Sequence, residues 1–172
     1  MKNHSNLLKK LKEIIQLFGD KILNESVDKD GNFELIIQRG SYTVAISKNI
    51  KNNWLQVSFP SPFKDEDVLK LFDEQVEKNP DFLLNLQSFL TSSVTAYNTL
   101  NDNGKFVGFL IIKRMFINGD NIPIQGLEDA IVSVVSTGSL GFQYIATCVG
   151  NKKLEQKIIE EISKPDPEHM FG

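Results

Sequence analysis

"GFLIIKRMF", Gly108 to Phe116, decides how this chain folds. Its even positions (Leu110, Ile112, Phe116) and its odd positions (Phe109, Ile111, Met115) are both apolar. Successive strand residues point to opposite faces, so such a strand needs cover on both sides, from a helix layer on one and from central helices or a second subunit on the other. Lys113 and Arg114 then point opposite ways. They cannot form one basic clamp, and they mark where the strand emerges into solvent. A membrane anchor is excluded as well: the run is interrupted by its basic pair, and no stretch approaches the roughly 18 to 20 consecutive apolar residues of a spanning helix.

The segments upstream alternate on one face only. Phe33, Leu35 and Ile37, then Tyr42, Val44 and Ile46, then Leu55, Val57 and Phe59 are each interleaved mostly with polar residues. With "RGS" and "KNIKNN" as turns they form an antiparallel meander with one wet face, stopped by Pro60 and Pro62. A short strand near 21–27 precedes them, followed by the turn "DKDGN". Trp54 falls on the wetter face with Gln56 and Ser58, which makes it a contact candidate.

Helical spacing surrounds this sheet. Leu7, Leu8, Leu11, Ile14, Ile15 and Phe18 form an amphipathic stripe, with Ser5 as its cap and Gly19 as its stop. A second stripe runs over 65–77, and a third, opened by Asn79 and Pro80, runs through Phe82, Leu83, Leu86, Phe89 and Leu90. "VTAYNTL" and "NDNG" then lead into the opening run as a hairpin; a helix continuing to Tyr97 is the competing reading. Leu127, Ile131, Val134, Gly138, Gly141, Ile145 and Cys148 mark the most apolar helix. Each of its two glycines costs about 1 kcal/mol against alanine, so either the helix breaks there or something packs closely against it. A charged amphipathic segment over 151–164 prolongs that helix or forms another, and 165–172 reads as a flexible tail. The expectation is one α+β domain over 1–164, with about five antiparallel strands packed against N-terminal, central and long C-terminal helices.

Catalytic chemistry finds little support. His4 and His169 sit in the termini, which removes the commonest general base from the core. Cys148 lies on an apolar stripe and reads as a small buried hydrophobe. Placing Gly31 sixth in a calcium loop puts Ile37 where a bidentate glutamate belongs, so "DKDGN" is a turn. "GSLG" lacks the basic flanks of a nucleic-acid loop, and neither GxxxxGK[ST] nor GxGxxG occurs. A net charge of -3 argues against a nucleic-acid partner, and a lone cysteine fits a reducing cytoplasm. No catalytic, cofactor or metal residue is assigned.

The run "FVGFLIIKRMFINGDNIPIQGLEDAIVSVV", together with the order of elements around it, resembles the type III secretion chaperone-like fold, a superfamily that includes bacterial sensory transduction regulators and archaeal relatives. That resemblance implies a homodimer binding other polypeptides, with no cofactor and no chemistry. The expected function is therefore a non-catalytic, cytoplasmic protein-binding or chaperone-like adaptor. Its candidate surface comprises Trp54, Phe109, Ile111, Gly138, Gly141 and Phe142. A small ligand-binding protein or enzyme is the alternative, and it needs an enclosed polar pocket with converging carboxylates or with Lys113 and Arg114.

Overall fold

A computed structural model describes residues 2–63, 66–91 and 94–149. The charged segment expected at 151–164, the tail at 165–172 and His169 lie outside the described residues.

The elements run α1 (Lys2–Leu17), β1 (Lys21–Val27), β2 (Phe33–Arg39), β3 (Tyr42–Lys48), β4 (Trp54–Pro62), α2 (Glu66–Lys78), α3 (Phe82–Leu90), β5 (Ala96–Asp102), β6 (Lys105–Phe116) and α4 (Ile124–Val149). One antiparallel sheet orders its six strands β1-β2-β3-β4-β6-β5. The α+β expectation stands, with β1 as the sixth strand. Most of β1 is exposed, because it is an edge paired only to β2. The hairpin reading also holds: α3 stops at Leu90, and β5 turns into β6 through Asn103 and Gly104, both at positive φ.

Helix α1 begins at Lys2, ahead of the Ser5 expected to cap it. Its end follows the glycine signal. Gly19, at φ +77°, donates its N–H to Gln16 O, and Asp20 donates to Ile15 O, which is the double bond of a Schellman closure. The closure delivers Asp20 to Arg39, whose Nε donates to Asp20 Oδ1 at 2.9 Å while its terminal nitrogen reaches Oδ2 at 2.9 Å. The Arg39 guanidinium also lies over the Phe18 ring and 3.9 Å from Glu128. One side chain thus ties the end of α1, β2 and α4 together.

The core lies on a single face of the sheet. Phe33, Leu35, Ile37, Val44, Ile46, Leu55, Val57, Phe59, Phe109 and Ile111 form one buried cluster with residues from all four helices. Helices α2 and α3 join α4 on this side. Phe72 packs edge-on against Phe63 and Phe106, and Tyr144 stacks between Phe82 and Phe89. The central helices therefore do not give β6 its second cover.

Helix α4 runs unbroken through both glycines, because each marks a close approach. A Cβ on Gly138 would sit 2.5 Å from the Phe59 ring, and one on Gly141 would sit 2.5 Å from Leu90 Cδ2 and 3.1 Å from Phe109 Cζ. By length and composition alone, Ile124–Cys148 is apolar enough to cross a membrane, although it holds no unbroken apolar run of that length. Its glycines, serines and threonines break the apolar run while carrying no charge. In the fold Leu127, Ile131, Val134 and Ile145 are fully buried, as in the core helix of an α+β layer.

Candidate interaction surface on the open face of the sheet

Strand alternation sends the core residues one way and a second set the other, and ladder registers align that second set in rows. Glu34, Ser47, Gln56 and Arg114 form one row across β2, β3, β4 and β6. Ile36, Ala45, Ser58, Ile112 and Ala96 form the next. Pro60, Leu110 and Asn98 lie beyond it, and Trp54 pairs with Phe116 at the other end.

The middle of this face is buried. Ala45 is wholly buried and Ser58 and Ile36 nearly so, and Ser58 Oγ donates to Ala45 O. Apolar atoms reach solvent along β4 and β6 instead, where Leu110, Ile112 and Trp54 are half-buried and Phe116 is 70% exposed. Trp54 meets Phe116 edge-on, and the Arg114 guanidinium lies 5.3 Å above the indole. Cation–π stacking of this kind orients the cation while leaving its donors free to bond outward.

Glu34 is the second charged group of the face. Among the described residues no cation pairs with it, and partial burial raises its carboxyl pKa above the usual glutamate value. The two basic residues of the opening run separate as their spacing requires. Lys113 turns beneath α4 and donates to Ser133 Oγ at 2.9 Å, whereas Arg114 stands on the open face.

The candidate surface residues divide the same way. Trp54 lies on the open face, while Phe109, Ile111, Gly138, Gly141 and Phe142 are buried between sheet and helices and cannot contact a partner directly. The features that sequence reading missed are Glu34 and Phe116. Both stand in alternating strands where polarity alone says only that a side chain faces water, and only the register shows that Glu34 shares a row with Arg114.

A cleft of about 560 Å³ opens elsewhere, between α1 and the turns that follow β1 and β3. Leu8, Phe33, Val27 and Ile50 give it apolar walls, and Lys12 and Glu25 form an ion pair at its rim. Asp28 accepts the N–H groups of Asp30 and Asn32 and the Asn32 side-chain amide, and these bonds, the amide foremost, lower its pKa. Nearby, the buried Lys48 ammonium donates to the carbonyls of Asn49 and Asn52, and burial lowers its pKa. Both groups hold turns closed. Among the described residues no group of three or more His, Cys, Asp and Glu could hold a metal ion.

No family model and no curated protein matches the sequence. The fold is similar to the crystal structure of an uncharacterized protein from Methanothermobacter thermautotrophicus, with a TM-score of 0.68, 13% identity, and coverage of 82% of this chain and 97% of that one. At that identity the likeness concerns the fold alone.

Proposed function

We propose that this chain is a non-catalytic, protein-binding adaptor of the secretion chaperone-like kind, acting as a homodimer. The observation that carries the reading is the open sheet face, where an exposed Phe116, a half-buried Trp54 and an oriented Arg114 stand together. Tryptophan and arginine are the residues most enriched where protein interfaces concentrate their binding energy. Half-buried Cys148, the sole cysteine, fits a reducing cytoplasm. The alternative, a small-ligand protein, would use the cleft beside α1, where Lys12 and Glu25 at the rim already pair with one another.

Sedimentation equilibrium over a wide concentration range tests the dimer, and a strict monomer at the highest soluble concentration overturns it. A photo-crosslinking side chain in place of Phe116 tests the adaptor role: it should capture one discrete polypeptide in cells, with capture lost on Ile112→Glu. Undiminished capture by that variant would refute the assigned surface.

A further inference from the structure

We propose that two copies of the chain pair antiparallel through their β5 edges, about a two-fold axis at Asn98, so that the two sheets continue into one another. This rests on the homodimer reading above and gives the dimer its surface and register. Among the described residues the sheet ends in two edges, β1 and β5. An edge strand carries a row of unpaired backbone groups, and proteins blunt such rows with bulges, charges or local caps. Edge β1 is blunted in each of these ways. A bulge interrupts it between Ile22 and Asn24, Asn24 Oδ1 accepts the Glu25 N–H at 2.9 Å, and Lys12 of α1 is anchored on the Glu25 carboxylate. Edge β5 has none of these devices from Ala96 to Leu100. That stretch holds no charge and no proline, its bulge falls after Leu100, and its side chains are exposed or half-buried.

The ladder fixes which backbone groups β5 presents. Toward either end of the β4–β6 ladder, the Phe63 N–H donates to Val107 O and the Ile117 N–H to Asn53 O, so odd-numbered residues of β6 bond to β4 and even-numbered ones to β5. Ala96, Asn98 and Leu100, opposite Ile112, Leu110 and Gly108, therefore turn their N–H and C=O groups toward β6, and Tyr97 and Thr99 turn theirs outward. One self-pairing register uses both outward residues: Tyr97 stands opposite Thr99 of the partner subunit, and Asn98 meets Asn98 of the partner subunit on the axis. Every outward N–H and C=O of Tyr97 and Thr99 then has a partner, as an isologous contact requires. The side chains agree with this register. Tyr97 and Thr99 lie on the helix side of the sheet, opposite Ile111 and Phe109, and make an aromatic–β-branched pair across the joint, while Leu100 packs beside Ala96 of the partner subunit on the other side. No like charges meet, because Asp102, the sole charged residue of β5, lies beyond the bulge. The paired stretch is about 17 Å long at about 3.4 Å per residue, so the contact belongs to the small, reversible class and forms as concentration rises.

Both positions can be changed without touching the ladder inside the chain. Thr99→Pro removes an N–H that points away from β6, and Asn98→Lys or Asn98→Asp alters an exposed side chain at the axis. Sedimentation equilibrium is run on the unmodified chain, on each variant and on an equimolar mixture of the two Asn98 variants, with thermal melts to confirm folding. Thr99→Pro deletes a hydrogen bond on each side of the axis and should weaken association about tenfold or more. Each Asn98 variant sets like charges face to face and should weaken it about threefold or more, whereas the mixture sets opposite charges there and should recover it to within a few-fold of the unmodified chain. A folded Thr99→Pro chain that dimerises undiminished would overturn the β5 edge while leaving the dimer reading intact. No loss in the Asn98 variants, or loss without recovery in the mixture, would overturn the register. A monomeric unmodified chain would overturn both readings. Because the Asn98 variants alter only exposed side chains, they decide the question even if Thr99→Pro unfolds.

Discussion

The ring of Phe59 occupies the space that a side chain on Gly138 would fill, since a Cβ there falls 2.5 Å from two ring carbons. Phe59 is held on other sides by Tyr42 and Phe142, each with ring centroids 5.7 Å away, so it cannot swing aside. Alanine at 138 gains about 1 kcal/mol of helix propensity. Overpacking a full core costs about 1–3 kcal/mol, so the strain prevails. Gly138→Ala should lower the urea midpoint, and Phe59→Leu in the same chain should cost less than the two single effects combined. Additive effects would show that the ring and the glycine are not coupled.

Gly108 is more constrained. It adopts φ +148°, and a Cβ there would lie 2.1 Å from the carbonyl oxygen of Ser61, a backbone atom that cannot move without breaking the β4–β6 ladder. Gly108→Ala should destabilise the fold by about 3 kcal/mol or more, measured by denaturant unfolding. A loss below about 1 kcal/mol would mean that the ladder's end is adaptable.

The Asp20–Arg39 pair should behave as a buried ion pair, with the aspartate side chain 5% exposed and the arginine 19%. Removing one partner of such a pair costs about 3–5 kcal/mol because the other is left charged and buried. Asp20→Ala should fall at the lower end, about 3 kcal/mol, since Arg39 keeps some solvent contact and its place over Phe18. In a double-mutant cycle with Arg39→Met, the combined loss should be clearly smaller than the sum of the two.

Glu34 predicts a pH effect on the stability of the fold. Partial burial raises its folded-state pKa above the unfolded value, so its ionised form weakens the fold at neutral pH. Relief from this penalty is complete below the unfolded pKa and is lost as pH rises through the folded one. Glu34→Gln should therefore raise the melting temperature at neutral pH, by less than about 1 kcal/mol equivalent after solvent screening. The difference should vanish as pH falls through the glutamate range. A difference independent of pH would point to packing instead.

Periodicity made most of this fold legible. The strands of the meander, the hairpin into β6 and three helical stripes fall where apolar spacing and turn residues place them. The ends were harder: α1 starts before its apparent Ser5 cap, and β4 runs on through Pro60 to Pro62, paired to β6, past the stop that its prolines suggest. Spacing could show that Gly138 and Gly141 were exceptional, but Phe59 and Leu90, which fill the space above them, come from distant parts of the chain. The candidate surface was the least legible. A two-sided apolar strand looks buried throughout, whereas β6 has one face under α4 and the other open, and only Trp54 among the residues first singled out stands on that open side.

Strand β4 pairs with β6, leaving α2, α3 and β5 as an excursion between them. The first four strands can meet as successive neighbours, but joining Trp54 to Phe116 closes a long loop before any contact across that ladder is gained. Loop closure costs only slowly more with length, yet non-local pairing governs folding speed. Substitutions in the turns of the meander should thus mainly change the unfolding rate. Those along the β4–β6 ladder should slow folding itself, making the opening run the kinetic gate of the whole domain.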